Sequence, residues 1–172
     1  ETRQLMNVTK QLITAQNNGP VMGIVQDTLV GTYLLTRDST FIERGIFFQC
    51  SMWAEMTIPS PALQKPARWT GKQLFSALLP DVDYTYRDVV VSKGELLRGV
   101  ITKKHIGRSE GNLIHLIHER YGSDRTARFM TDLQRVISHW LTHHGFSTGL
   151  GDCVVPSVPV DTKIDQCMTE KA

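Results

Sequence analysis

Lys103 and Lys104 stand side by side at the end of a β-branched run, ahead of Gly107-Arg108-Ser109-Glu110-Gly111-Asn112 and an apolar stretch that opens at Leu113. Two ammonium groups, a guanidinium, a hydroxyl and a glycine-bounded loop leading into a helix N-terminus are groups with which proteins hold phosphate. The chemistry on offer is therefore anion binding. A nucleotide cradle of the P-loop kind is excluded, because there the lysine follows the glycines and here the pair precedes them. Neighbouring residues on a strand face opposite ways, so both lysines reach one phosphate chain only if the strand has ended or is bulged. The other reading, a solvated strand tip with no ligand, stays open, since charge runs usually face water.

Other residues invite different chemistry. His139 and His143 are spaced i, i+4, and His115 and His118 i, i+3, and either spacing suits zinc on a helix. The glutamate that a zincin carries beside its first histidine is missing, which favours histidines on a solvated face. Asp81, Asp83 and Asp88 alternate like the start of a calcium loop, but neither a glycine turn nor a closing glutamate follows, which favours a surface loop. Residues 145–149 read Gly-Phe-Ser-Thr-Gly, a G-x-S-x-G match. A nucleophile elbow needs a strand before the serine and a helix after it; here a helix precedes and a loop follows, so the match carries no hydrolase reading.

The elements that must position the lysines can be read from local pattern. Residues 1–7 are helix-compatible, 8–16 are β-branched and read as a strand, and Asn17-Asn18-Gly19-Pro20 is a turn. A helix is expected from about Ile24, weakened by Gly31. An extended run and then a short helix ending near Trp53 come next. Pro59, Pro61 and Pro66 each restrict the backbone and remove a donor, so residues 57–69 should be an ordered surface strap. Thr70 is the expected N-cap of a helix that Pro80 stops. Residues 88–102 read as a hairpin turning at Ser92-Lys93-Gly94-Glu95. Phe129, Leu133, Val136, Ile137 and Trp140 form one apolar stripe on a helix over 124–144, with Asp124 to cap it and Gly145 to end it. A last polar segment, residues 161–172, has helical character. The fold class is α+β.

Composition agrees with a folded chain. The 172 residues are 41% hydrophobic and 21% charged, ordinary globular usage. A chain of this length can bury a core of its own. The net charge is only +2, yet residues 93–110 carry Lys93, Arg98, Lys103, Lys104 and Arg108 against Glu95 and Glu110 alone, so positive potential concentrates around the lysine pair. Cys50, Cys153 and Cys167 are odd in number and widely spaced, which reads as reduced thiols in an intracellular compartment. No apolar run approaches the ~20 residues of a bilayer span, and no membrane partner is expected. The chain opens on Glu1-Thr2-Arg3, without an initiator methionine or a secretory pattern, and is read as an internal piece of something longer.

Five collinear blocks carry a resemblance: GPVMGIVQDTLVG, LTRDSTFIE, IPSPALQKPARWTGKQLF, KGELLRGVITKKHIGRSEGNLIH and HWLTHHGFSTGLGD. Together they resemble the pore region of the largest subunit of multisubunit DNA-directed RNA polymerases of the eukaryotic, archaeal and large-DNA-virus type. The resemblance runs from Glu1 to about Asp152, and implies a pore region over residues 1–152 and the start of a funnel-type segment over 153–172. It implies a nucleotidyltransferase active only as part of the whole polymerase. The family's aspartate triad for magnesium lies upstream of these residues, and Asp81-Val82-Asp83-Tyr84 is no substitute; no cofactor is expected within this segment.

What the resemblance implies for the site follows. Lys103 and Lys104 match a lysine pair that faces the channel and meets RNA or nucleotide phosphates, with Arg108 and Ser109 beside it. Gln26 and Asp27 match a pair beside the floor of the active centre, although Asp27 also reads as a first-turn acid of a helix. Implied partners are other polymerase subunits, the RNA 3′ end, nucleoside triphosphates, the DNA template and a transcript-cleavage elongation factor. The implied compartment is the nucleus if the source is eukaryotic, and cytoplasm or virion if archaeal or viral. Two departures stand out: Arg108 replaces the family's usual serine, and Cys153-Val154-Val155-Pro156 replaces its threonine and second aspartate, so nothing is carried over beyond Asp152. The alternatives left beside this reading are an autonomous phosphate-binding enzyme built on residues 103–112, and a protein-interaction module held by the proline strap and helix faces.

Overall fold

The computed structural model describes residues 1–154, 162–164 and 167–169. The chain begins with α1 (Thr2–Leu5) and a 3-10 turn (Val8–Gln11), then β1 (Ile13–Thr14) and β2 (Gly19–Pro20). Only two residues of the expected first strand are extended, because the Asn7 side chain accepts from the Thr9 amide and starts a helical turn instead. α2 (Gln26–Leu35), β3 (Phe41–Glu43) and α3 (Arg44–Ser51) follow, then β4 (Leu63–Gln64), β5 (Ala67–Thr70) and α4 (Gly71–Ser76). β6 (Tyr84–Tyr86), β7 (Val89–Ser92) and β8 (Glu95–Arg98) lead to α5 (Lys103–Ile106), α6 (Leu113–His144) and α7 (Leu150–Cys153). Residues 162–164 and 167–169 are helical; the rest of the expected C-terminal helix, and most of the segment from 153 onward, lies outside the described residues.

Among the described residues the strands form three small antiparallel sheets, ordered β1-β2, β3-β5-β4 and β6-β7-β8. The architecture is α+β, as the sequence implies. The five stripe residues of α6 are all buried, and they pack with Leu35 of α2 and Phe47 and Cys50 of α3. Each fully buried Phe, Leu or Ile removes enough apolar surface to contribute on the order of 2 kcal/mol. Gly31 lies where α2 meets α6, facing the Ile137 methyl, so the residue that weakens the helix locally is the one that lets the two helices close.

The proline strap is ordered by side-chain bonds. Trp69 stacks on Phe47 at 4.7 Å and donates its indole N–H to the Pro59 carbonyl at 2.8 Å. Gln73 donates to the Ser60 carbonyl at 3.0 Å. Thr70 is the N-cap expected: its hydroxyl accepts from the Gln73 amide while the Gln73 side chain accepts from the Thr70 amide.

Two boundaries differ from expectation. α6 starts at the Asn112 cap and is interrupted at Gly122, whose φ of 79° and ψ of 179° break the hydrogen-bond ladder. Asp124 makes no capping hydrogen bond among the described residues, because the chain resumes its helix directly after that glycine. β6 is an element that the sequence pattern does not signal: Tyr84–Tyr86 is too short for a strand signature of its own and pairs with Val89–Val91.

Candidate phosphate site at the lysine turn

The lysines do not extend a strand. β8 ends at Arg98, residues 99–102 are irregular, and Lys103 and Lys104 begin the helical turn α5. Adjacent side chains on such a turn diverge by about 100°, not the 180° of a strand, so both point into the same half-space. This meets the condition that the strand must end before the pair can address one ligand. Lys103, Lys104, Arg108 and Ser109 are all exposed. The ion pairs among the described residues are Lys72 with Asp38, and Arg128 with Glu55 at 4.0 Å, so neither lysine nor Arg108 is neutralised by one.

The turn is pinned on the inner side. The Ile101 amide donates to the buried Thr36 hydroxyl at 3.0 Å, and that hydroxyl donates to the Thr32 carbonyl at 2.8 Å. The Thr102 amide donates to His105 Nδ1 at 2.9 Å. Ile24 donates its amide to the Ile106 carbonyl at 2.8 Å, and Asn112 donates its side-chain amide to the Gly107 carbonyl at 2.7 Å. Ile101 and Ile106 are fully buried beneath it. The lysines are thus carried on a rigid base while their ammonium groups stay in water.

Gln26 and Asp27, far away in sequence, are brought to the same junction, because residues 23–24 pack against residues 106–108. Asp27 occupies the first turn of α2, where its carboxylate complements the helix dipole. A cleft of about 400 Å³ is lined by Met22, Gln26, Asp27, Met130, Gln134 and Ser138 among others, and not by the lysines. The helix N-terminus near Asn112 is less open than its sequence suggests, since Asn112 Oδ1 accepts from the His115 amide at 2.9 Å.

His105 is the residue sequence reasoning missed. It is only 5% exposed. Its Nδ1 accepts from a backbone N–H, so the neutral ring carries its proton on Nε2, which has no hydrogen-bond partner among the described residues. Burial, then the nearby charges of Arg87 and Lys104, hold its pKa below the ordinary value near 6.5. A histidine three residues after a threonine at a helix start was the available signal.

The other candidates resolve differently. Asp83 clamps the β7–β8 turn, its Oδ1 accepting from the Lys93 amide at 2.9 Å and the Ser92 hydroxyl at 3.3 Å. Among the described residues, no three His, Cys, Asp or Glu side chains converge. His139 does not lie on a solvated face: it is half-buried, 5.6 Å from the Trp53 ring and 5.1 Å from that of His143. Residues 145–149 are an exposed loop after α6, with no strand before the serine. Cys50 is buried, Cys153 and Cys167 exposed, and all three are free thiols. No described helix is long and apolar enough to cross a membrane.

Two curated relatives from Trypanosoma brucei brucei, DNA-directed RNA polymerase II subunits RPB1-A and RPB1-B, are each 39% identical over 171 residues, covering 91% of this chain. The chain spans about a tenth of their length, 10% in each case. The family described as RNA polymerase Rpb1, domain 3, matches residues 11–153, a stretch holding the lysine turn, the Gln26-Asp27 pair and every element packed beneath them. The chain belongs to the RNA polymerase Rpb1, domain 3, family, as a segment of the largest subunit.

Proposed function

We propose that this segment lines the pore of a DNA-directed RNA polymerase, where Lys103 and Lys104, helped by Arg108 and Ser109, guide phosphate-bearing species. The species are the 3′ end of backtracked RNA leaving the active centre and nucleoside triphosphates entering it. DNA-templated nucleotidyl transfer belongs to the assembled enzyme, whose magnesium is bound outside these residues. Gln26 and Asp27 sit on the side facing the active-centre floor. Partners are the remaining polymerase subunits, the DNA template and a transcript-cleavage factor that enters by the same channel. Residues 1–152 make the pore region and 153–172 lead into the funnel. The eukaryotic relatives support a nuclear enzyme. An autonomous enzyme on residues 103–112 and a plain interaction module are not favoured by the family assignment.

One observation carries this reading: two adjacent ammonium side chains, exposed and free of ion pairs among the described residues, stand on a turn held from its inner side by hydrogen bonds. Such charges in a narrow, low-dielectric passage concentrate polyanions by field and hold them by contact. The test is Lys103→Ala with Lys104→Ala in the full polymerase. Backtracking or transcript cleavage should change while template-directed bond formation remains measurable. A double variant that backtracks and cleaves like the parent would refute the assignment.

A further inference from the structure

The turn between β6 and β7 reaches the lysine turn from a distant part of the sequence. Tyr86 is 40% exposed, and its ring centroid lies 5.7 Å from that of His105, at an interplanar angle of 77°. The Arg87 guanidinium carbon stands 5.5 Å from the centroid of the same Tyr86 ring. Tyr84 backs Tyr86 from the buried side, with centroids 6.5 Å apart and planes 20° from parallel. Lys104 precedes His105 in the chain, and the Tyr86 ring stands between His105 and the Arg87 guanidinium.

Arg87 occupies an unusual position for an arginine. Its φ is 53°, a left-handed conformation that hairpin turns ordinarily give to glycine or asparagine. It forms no ion pair among the described residues, although Asp88 adjoins it. His105 Nε2, packed against the Tyr86 ring's side of the turn, is buried with no hydrogen-bond partner among the described residues. The charges of Arg87 and Lys104 both press on that imidazole.

We propose that Arg87, braced by Tyr86, is a further phosphate contact for single-stranded RNA, continuing the track that Lys103 and Lys104 begin. The inference rests on the lysine reading above and extends it. Arginine binds a phosphate with two parallel N–H donors, and its planar head stacks on rings and bases. Aromatic rings beside a basic groove are a recurring way to hold single strands without reading sequence.

The experiment uses the assembled polymerase stalled in a backtracked state, with 4-thiouridine at the displaced RNA 3′ end. Photocrosslink yield to this subunit and the rate of transcript cleavage are read for Arg87→Gln, Arg87→Lys, Tyr86→Leu, and the double Lys103→Ala, Lys104→Ala. Arg87→Gln should lower the yield about tenfold, the order expected for losing a charge-assisted bidentate contact. Arg87→Lys should retain much of it, and Tyr86→Leu should fall between. If the double lysine variant responds and Arg87→Gln does not, the Arg87 contact is overturned while the lysine reading stands. If neither responds, both fall. A raised KM for nucleoside triphosphates in Arg87→Gln, with RNA crosslinking unaltered, would assign a triphosphate and overturn the RNA contact.

Discussion

Gly23 and Gly107 lie back to back: a Cβ built on Gly23 would stand 2.5 Å from the Gly107 carbonyl carbon and 2.6 Å from its oxygen. That approach lets the Ile24 amide reach the Ile106 carbonyl, and so it joins the Gln26-Asp27 segment to the lysine turn. Backbone meets backbone there, and a side chain has no soft neighbour to displace.

Gly23→Ala should therefore destabilise the chain by about 1–3 kcal/mol, the usual cost of overpacking. Chemical denaturation measures it. Gly45→Ala is the control, since a methyl added there, on the exposed side of α3, would meet nothing within 4 Å. There the change should be neutral or stabilising by about 0.5 kcal/mol. Equal effects at the two sites would contradict the close approach.

Thr36 ties the end of α2 to the run that enters the lysine turn. Thr36→Val keeps the shape but leaves the Ile101 amide buried without an acceptor. The expected cost is about 1–3 kcal/mol. Hydrogen exchange at the Ile101 amide should accelerate with it. Parental protection at Ile101 in this variant would remove Thr36 from the support of the site.

His105 makes folding sensitive to mild acid. Its folded pKa is depressed, so above about pH 6.5 the ring is neutral in both states and contributes no pH dependence. As pH falls below that value the unfolded chain takes up a proton that the folded chain refuses, and stability drops. His105→Asn preserves an acceptor for the Thr102 amide without titrating. The variant should lose less stability than the parent between about pH 7 and pH 5. Asp38, held below the usual carboxylate range by its bond to Lys72, and Asp83, held there by the Lys93 amide, act only nearer about pH 4. Parallel pH profiles for parent and variant would count against the neutral buried ring.

Burial pushes the Cys50 thiol up to about 11, whereas Cys153 and Cys167 are exposed. Near neutral pH the thiolate is the reactive species, so Cys50 is both shielded and protonated. Mass-mapped alkylation of the folded chain should label Cys153 and Cys167 quickly and Cys50 only after denaturant. Its thiolate also destabilises the fold: stability is fully present below the unfolded thiol's pKa of about 8.5 and declines as pH rises toward the folded value. Fast native labelling of Cys50 would show that α3 does not pack as described.

Residues close in the chain were legible from the sequence because their signals are local. The apolar stripe from Phe129 to Trp140, the Thr70 cap, the turn at Ser92-Lys93-Gly94-Glu95 and the proline strap each rest on periodicity or backbone preference within a few residues, and all of them stand in the fold. The candidate cations were legible as well, as charge and spacing. Tertiary structure decided the rest. Lys103 and Lys104 sit on a helical turn because Thr102 and His105 bond to each other and Ile101 and Ile106 have a core to enter. His139 is half-buried because Trp53, in the turn just after α3, lies against it. Gln26 and Asp27 reach the lysine junction only because two distant glycines allow backbones to touch. Tyr86 became a neighbour of His105 through sheet pairing and packing that no short window of sequence encodes. Local preference follows from each residue's own geometry; adjacency across the fold follows from which surfaces exclude water together, and that depends on the whole chain.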